Sequence, residues 1–380
     1  MKHPWSSQQF RHGASEAGLP EEDVMASLRI ARSIKSKNND LPVILTLGHL
    51  ATLTDLPIKY LERIVQKTGE HPYRVFRVKK RNVSGNGAAA PRRYRTICVP
   101  EPNLMRLQRW IAQNVLNVMS PHHSSYAFAP NGGIIKAAEK HLECKWLLKM
   151  DVRHFFESIS EKQVYFVFRR FGYGALVSFQ LARICTRLSK DGNPTRLEAD
   201  GKPISRWPMG HLPQGAPSSP MLANFAMHHF DERVTNISKA FGWTYTRYAD
   251  DLIFSTTGEA TRGLGMSLSK LVEMTLTRVG LYAHRQKTSL VPPGARKVVL
   301  GIAVDTDRLR LTKEYKNNVE THLYALTSPS IGPLAHAEER KFASIIGMRR
   351  HITGLVAHAR RVDEPYGERL RVQLRSVAWP

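Results

Sequence analysis

Trp243-Thr-Tyr-Thr-Arg-Tyr-Ala-Asp-Asp-Leu-Ile-Phe-Ser255 is the stretch whose reading decides the fold. Its flanks are β-branched and aromatic, a composition that favours strands, while Ala-Asp-Asp suits a turn between them. The pattern predicts a β-hairpin with Asp250 and Asp251 at its tip. Two carboxylates then project together from a rigid support. Adjacent like charges disfavour full ionisation of both, so the pair makes chemical sense beside a divalent cation. Four residues are a short pattern, and an acidic turn facing water is the ordinary reading until the rest of the chain is considered.

Upstream, Trp146-Leu-Leu-Lys-Met-Asp151-Val152 reads as a short apolar strand ending in an acid. Such an acid is costly unless it is paired, hydrogen-bonded or metal-bound, which makes Asp151 the natural third carboxylate. Asp151 and Asp250 are far apart in the chain and meet only if their strands are neighbours in one sheet. Between them lies Leu212-Pro-Gln-Gly-Ala-Pro-Ser-Ser-Pro-Met-Leu-Ala-Asn224, a Gly/Pro-rich turn leading into a helix. Its glycine lets backbone approach a substrate closely, and Gln214 hydrogen-bonds without adding charge. Strand and acid, then loop and helix, then acidic hairpin is an ordered series that chance does not readily produce. Two Mg²⁺ ions held about 4 Å apart by such acids activate an attacking hydroxyl and stabilise a leaving pyrophosphate, the work of a nucleotidyl transferase.

The composition points the same way. The chain has 380 residues with 56 Lys and Arg against 32 Asp and Glu, a net charge of +24. Nucleic acid is the leading partner for such a charge, because neutralised phosphates release counterions. A membrane surface is the rival, yet no run of about 18 apolar residues occurs. Cys98, Cys144 and Cys185 are widely spaced and form neither a disulfide framework nor a zinc pattern. The start, Met-Lys-His-Pro-Trp-Ser-Ser, has no apolar h-region, which speaks against secretion and for a reducing cytoplasm.

Residues 1 to about 40 are polar with little sustained periodicity, a composition that fits parts loosely held or helical only in context. Leu47 to Val65 reads as two short helices around a Leu56-Pro57 break; with no basic recognition face after the break, packing is favoured over DNA reading. Tyr73-Arg-Val-Phe-Arg-Val-Lys-Lys80 and Arg93-Tyr-Arg-Thr-Ile-Cys-Val99 alternate as strands and are expected to pair. Leu104, Leu107, Ile111, Val115 and Val118 follow at helical spacing. Residues 189 to 210 look like an inserted loop or hairpin. After Asp305 the chain turns helical and markedly basic, which favours a helical lobe lying along a duplex over a merely solvated surface.

In their order, Asp151 with its trailing Phe-Phe, the Leu-Pro-Gln-Gly-Ala-Pro-Ser-Ser-Pro segment and Tyr-Ala-Asp-Asp resemble the three catalytic signatures of the reverse transcriptases, and the resemblance runs from about residue 45 to the C-terminus. It implies an α+β right-hand polymerase with fingers, a palm of antiparallel sheet and helices, and a helical thumb. The implied division is an N-terminal helical extension (1–70), fingers (71–145), palm (146–305) with the insertion near 189–210, and thumb (306–380). Asp151, Asp250 and Asp251 are the implied catalytic acids, with Val152 completing the metal set for two Mg²⁺ ions, Mn²⁺ being an alternative. Phe156 matches the steric gate against a ribose 2′-hydroxyl, Arg95 the fingers arginine on the triphosphate with Arg93 as its helper, Gln214 a residue beneath the incoming nucleotide or template base, and Lys287 the lysine that assists pyrophosphate departure or contacts phosphate. Val299-Leu300-Gly301 resembles the primer grip.

Within that family the chain is most similar to bacterial retron reverse transcriptases, through Tyr73 to Pro100, Leu107-Gln-Arg-Trp-Ile111, Tyr245 to Ser255, and the thumb-like His351-Ile-Thr-Gly-Leu-Val356 and Pro365-Tyr-Gly-Glu-Arg-Leu370. It departs from the retron pattern in two places. Ala137-Ala-Glu-Lys-His141 stands where Asn-Ala-x-x-His is usual, and Val-Leu-Gly stands for Val-Thr-Gly. A divergent retron enzyme and a sister cellular reverse transcriptase, defence-associated or group II-like, both fit. The implied activity copies a structured noncoding RNA into DNA from dNTPs. In a retron the product is branched, RNA-linked multicopy single-stranded DNA, and a separate effector protein joins the enzyme in anti-phage defence in the bacterial cytoplasm. A polymerase-shaped scaffold that only binds RNA, and a DNA-templated polymerase, are the rival readings.

Overall fold

A computed structural model describes residues 5–68, 72–79, 94–188 and 209–380. Arg93 and all but Met209 and Gly210 of the expected insertion lie outside the described residues. In chain order the elements are α1 (Ser7–Glu16), α2 (Glu21–Lys37), α3 (Leu47–Thr54), α4 (Ile58–Gln66), β1 (Tyr73–Lys79), β2 (Tyr94–Pro100), α5 (Pro102–Ile111), α6 (Ile134–Glu139), β3 (Trp146–Asp151), α7 (Phe155–Ser158), α8 (Glu161–Arg170), α9 (Ala175–Cys185), α10 (Ser219–Ala226) and α11 (His228–Ala240). There follow β4 (Thr244–Tyr248), β5 (Asp251–Thr256), α12 (Arg262–Arg278), β6 (Ser289–Val291), β7 (Val298–Val299), β8 (Ile302–Ala303), β9 (Arg310–Leu311), α13 (Lys313–Thr327), α14 (Gly332–Glu339), α15 (Ile345–Val362) and α16 (Glu364–Arg375). The fold is α+β, and its sheets are antiparallel. Among the described residues no helix is long and apolar enough to cross a membrane.

The chain divides into two compact units. The first comprises Met1–Pro130, Val152–Arg233 and Glu273–Ala283. Here β1 and β2 form the expected antiparallel pair, with Tyr73 opposite Pro100 and Lys79 opposite Tyr94. The apolar spacing from Leu104 is realised in α5 and in the wider π turn Ala112–Leu116 that continues it; Leu104, Leu107, Ile111 and Val115 are all buried. The polar start of the chain is more ordered than its periodicity suggests. It contains α2, which buries Leu28, Ala31 and Ile34 at intervals of three and aligns its charges with the helix dipole, Glu21, Glu22 and Asp23 in the first turn and Lys35 and Lys37 in the last.

The second unit comprises Asn131–Asp151, Val234–Val272 and His284–Pro380. Its four-stranded sheet has the order β4-β5-β3-β6, so the strand ending in Asp151 lies directly beside the strand beginning with Asp251. One core gathers Cys144, Leu147, Ile253, Val299, Ile302 and Val304 around this sheet and the small sheet β7-β8-β9. A second core, with Val319, Leu323, Met348, Ile352 and Leu370 among its members, holds the C-terminal helices α13 to α16 together.

Candidate active site

The hairpin forms as the sequence predicts, with one refinement. Tyr248 pairs with Asp251, so only Ala249 and Asp250 make the turn, and Asp251 is the first rung of β5. A two-residue connection of this kind needs a left-handed residue, and Ala249 supplies it at φ +54°. For a residue with a Cβ that conformation costs on the order of 1–2 kcal/mol. The Arg247 guanidinium, fully buried, donates from Nη1 to the Ala249 carbonyl at 3.2 Å and so holds the turn from below. Tyr245 stacks on Phe254 across the same pair of strands, ring centroids 4.9 Å apart.

The ladder places the acids. Asp151 lies directly opposite Asp251, and Tyr248 lies opposite Asp251 on its other side. Side chains opposite one another share a face of the sheet, so Asp151, Asp251 and Tyr248 form one row, with Lys149 and Ile253 in the next. Like charges opposed across a ladder destabilise it, which is an unusual arrangement in the absence of a cation. Lys287, at the end of the 3₁₀ turn Arg285–Lys287, is a cationic partner of this row and places its Nζ 2.6 Å from Asp151 Oδ2. That turn is tied to the strand through the His284 amide, which donates to the Asp151 carbonyl at 2.7 Å. Burial first, then the charges of Asp250 and Asp151, push the Asp251 carboxyl up to about 6, while Lys287 and Lys149 pull the other way.

This donor set suits a hard divalent cation. Carboxylate oxygens are the ligands such an ion takes, and the raised Asp251 marks a site where added positive charge is favourable. Among the described residues no three His, Cys, Asp or Glu side chains converge as a ready-made cage. Mg²⁺ does not require one, since it uses one or two carboxylates and completes its octahedron from water and substrate phosphates.

The remaining sequence candidates fall as follows. Val152 is buried and bridges to Ala283. Phe155 is buried and Phe156 half-buried, the two rings edge to face at 5.4 Å, so the core role belongs to Phe155. Arg95 is exposed on β2, opposite Val78. Gln214 is half-buried, and its carbonyl accepts from the Cys98 amide of β2 at 2.8 Å, which laces the Leu-Pro-Gln-Gly loop to the strand carrying Arg95. Gly215 follows at φ +112°, where a Cβ would stand 3.1 Å from the Cys98 carbonyl oxygen. Leu300 and Gly301, at φ +50° and +85°, make the two-residue turn between β7 and β8. Asp151, Asp251 and Lys287 are thus brought together within the second unit, whereas Phe156, Arg95 and Gln214 belong to the first. Sequence reasoning did not single out Lys149 or Arg247. Strand alternation is the signal that puts Lys149 on the acid face, and a lone arginine in an aromatic strand is the signal for Arg247.

A family model for "Reverse transcriptase (RNA-dependent DNA polymerase)" matches residues 78–316. Among curated proteins the chain is similar to the Retron Ec86 reverse transcriptase of Escherichia coli, 25% identical over 351 residues that cover 90% of this chain and 98% of that protein. It is also similar to the Retron Mx162 reverse transcriptase of Myxococcus xanthus, 31% identical over 220 residues, 56% of this chain and 44% of that one. Among solved structures, a telomerase from Candida albicans aligns with a TM-score of 0.45 at 12% identity, covering 82% of this chain and 57% of that one.

Proposed function

The chain belongs to the reverse transcriptase family and is an RNA-directed DNA polymerase similar to the retron reverse transcriptases, and on that premise we propose that it is a retron enzyme and that Asp151, Asp250 and Asp251 are its catalytic acids, holding two Mg²⁺ ions with the help of Val152. The observation that carries this reading is the β3–β5 register, which sets Asp151 opposite Asp251 at the mouth of a strained turn. When bound, the ions supply Lewis acidity to the attacking hydroxyl and to the leaving pyrophosphate. The chain's own groups do the rest. Lys287, held on Asp151 at 2.6 Å, is placed to transfer its charge to a departing phosphate. Arg95 offers a rigid fork for the triphosphate, with Arg93 as its helper. Gln214 supports the incoming nucleotide or template base, Phe156 crowds a 2′-hydroxyl, and Leu300 and Gly301 present the primer end. The division into extension (1–70), fingers (71–145), palm (146–305) and thumb (306–380) follows from the same reading.

The RNA partner is a structured noncoding transcript. A cavity of about 970 Å³ beside α13 carries six basic residues, Arg296, Arg308, Lys313 and Arg361 among them, against the four acids Glu139, Glu320, Asp363 and Glu364. The excess of basic over acidic side chains there suits a phosphate backbone, in keeping with an RNA partner. Priming from a guanosine 2′-hydroxyl in that transcript, a branched RNA-linked DNA product, a separate effector protein and anti-phage defence in the bacterial cytoplasm complete the proposal. Ala137-Ala-Glu-Lys-His141 and Val-Leu-Gly favour the second reading, a sister defence-associated or group II-like enzyme.

Incubation with RNA template, primer, Mg²⁺ and labelled dNTPs tests the first claim. Incorporation is expected to fall about 10³-fold or more in Asp250→Ala, the scale on which loss of a whole catalytic group acts. Incorporation equal in the two proteins would remove these acids from the mechanism. Sequencing the nucleic acid that copurifies, with and without debranching, separates the two readings: branched RNA-DNA supports the retron, and long repetitive cDNA the sister family.

A further inference from the structure

His141 lies two residues beyond α6, in the segment where the chain keeps a histidine but not the asparagine before it. Its ring is 1% exposed, yet both nitrogens are satisfied. Nδ1 stands 2.6 Å from the Ser255 hydroxyl on β5, and Nε2 stands 2.6 Å from the Thr246 hydroxyl on β4. Burial lowers its pKa to about 3, so the imidazole is neutral. One ring nitrogen donates and the other accepts, and hydroxyls answer either tautomer.

The two hydroxyls sit on the two arms of the acidic hairpin. Thr244 is opposite Ser255, Thr246 opposite Ile253 and Tyr248 opposite Asp251, so Thr246, Ser255 and Asp251 share one face. The histidine therefore spans the arms diagonally on the face that bears the acids. β4 is an edge strand of its sheet, joined by its ladder to β5 alone. An edge strand is held by a ladder from one side only, so a side-chain contact to its neighbour adds to what fixes its position. Arg247 restrains the turn on the opposite face through the Ala249 carbonyl.

We propose that His141 is a positioning residue for nucleotidyl transfer: by lacing β4 to β5 on the acid-bearing face, it fixes where Asp250 and Asp251 present their carboxylates. This rests on the reading of those acids as catalytic. A change far from the reacting atoms that misplaces the catalytic groups by about 1 Å costs on the order of a hundredfold in rate, so a brace of this kind acts without touching substrate.

The test compares His141→Ala, Thr246→Val, Ser255→Ala and the Thr246→Val/Ser255→Ala double variant with the unsubstituted chain, with Asp250→Ala as control. Three quantities are read: single-nucleotide incorporation as dNTP is varied, deuterium uptake of residues 244–256 in the metal-free protein, and thermal unfolding. In the double variant the rate at saturating dNTP is expected to fall about ten- to a hundredfold while KM for dNTP stays within about threefold, the signature of a lost geometry and not a lost binding contact. Uptake in the hairpin is expected to rise with the remainder of the chain unchanged. A rate within about twofold of the parent, even with a lowered unfolding temperature, overturns the proposal and leaves His141 a core residue. So does unchanged hairpin uptake. The hydroxyl variants decide the matter if His141→Ala fails to fold. Full activity in Asp250→Ala sinks the catalytic reading itself, whereas an inactive Asp250→Ala beside fully active hydroxyl variants sinks only the role of His141.

Discussion

Burial and two neighbouring carboxylates hold the Asp251 pKa at about 6, against an ordinary 3.8. Between those values the folded chain keeps a proton that the unfolded chain has released, so folding is favoured at the acid end and loses stability as pH rises through about 6. Calorimetry of the metal-free protein should therefore show its unfolding temperature falling between about pH 4 and pH 6.5, and Asp251→Asn should flatten that fall. With Asp251 as an ion ligand, as proposed, binding displaces the same proton. The Mg²⁺ concentration for half-maximal incorporation is expected to rise about tenfold per pH unit below about 6 and to level off above it; a flat dependence would detach Asp251 from the ion. Phe156 gives a second prediction at this scale. Phe156→Ala removes the ring proposed to exclude a 2′-hydroxyl, and discrimination between dNTP and rNTP, measured as a ratio of kcat/KM, should fall by about tenfold to a few hundredfold, the range that a steric contact supplies.

At the scale of elements, α2 shows why some of the fold escaped the sequence. Its buried residues are Leu28, Ala31 and Ile34, too few to dominate a polar segment, and Pro20 stands at its N-cap with no side-chain hydrogen bond. The readable signal was the ordering of charge, acids first and lysines last, which helix dipoles favour but periodicity does not register. Leu28→Ala should lower global stability by about 2–5 kcal/mol by chemical denaturation, since a buried leucine leaves a cavity; a loss below about 0.5 kcal/mol would mean that α2 frays independently. The hairpin, β3 and the β1–β2 pair were legible because alternation and β-branched flanks act locally. The opposition of Asp151 and Asp251 was legible only as a condition, that their strands be neighbours, because register is settled by long-range pairing. The bridge from His141 to Thr246 and Ser255 left no local trace, since it joins residues distant in sequence. Gly215 carries the other prediction for this scale. Its φ is +112°, and an added methyl group would stand 3.1 Å from the Cys98 carbonyl oxygen. Gly215→Ala should therefore cost about 1–3 kcal/mol, read as a lowered midpoint of unfolding.

For the molecule as a whole, the net charge of +24 governs association. Affinity for RNA should fall linearly in a double-logarithmic plot against salt, and replacing Arg296, Arg308, Lys313 and Arg361 by alanine should each reduce the slope by about one where the side chain meets a phosphate. Filter binding over a salt series measures this, and an unchanged slope in all four would place the RNA elsewhere. The meeting of Arg187 and His211 has a consequence at the same scale. They exchange both backbone hydrogen bonds at 3.0 Å, and His211 also bridges to Ser160. Arg187 and His211 are therefore held as neighbours by their own pairing, whatever the number of residues between them. Shortening a loop fivefold lowers its closure entropy by only about 1.4 kcal/mol, and lengthening it costs as little. Variants shortened or lengthened between Leu188 and Met209 are therefore expected to keep the paired ends and an unfolding temperature close to the parent's, as thermal unfolding would read.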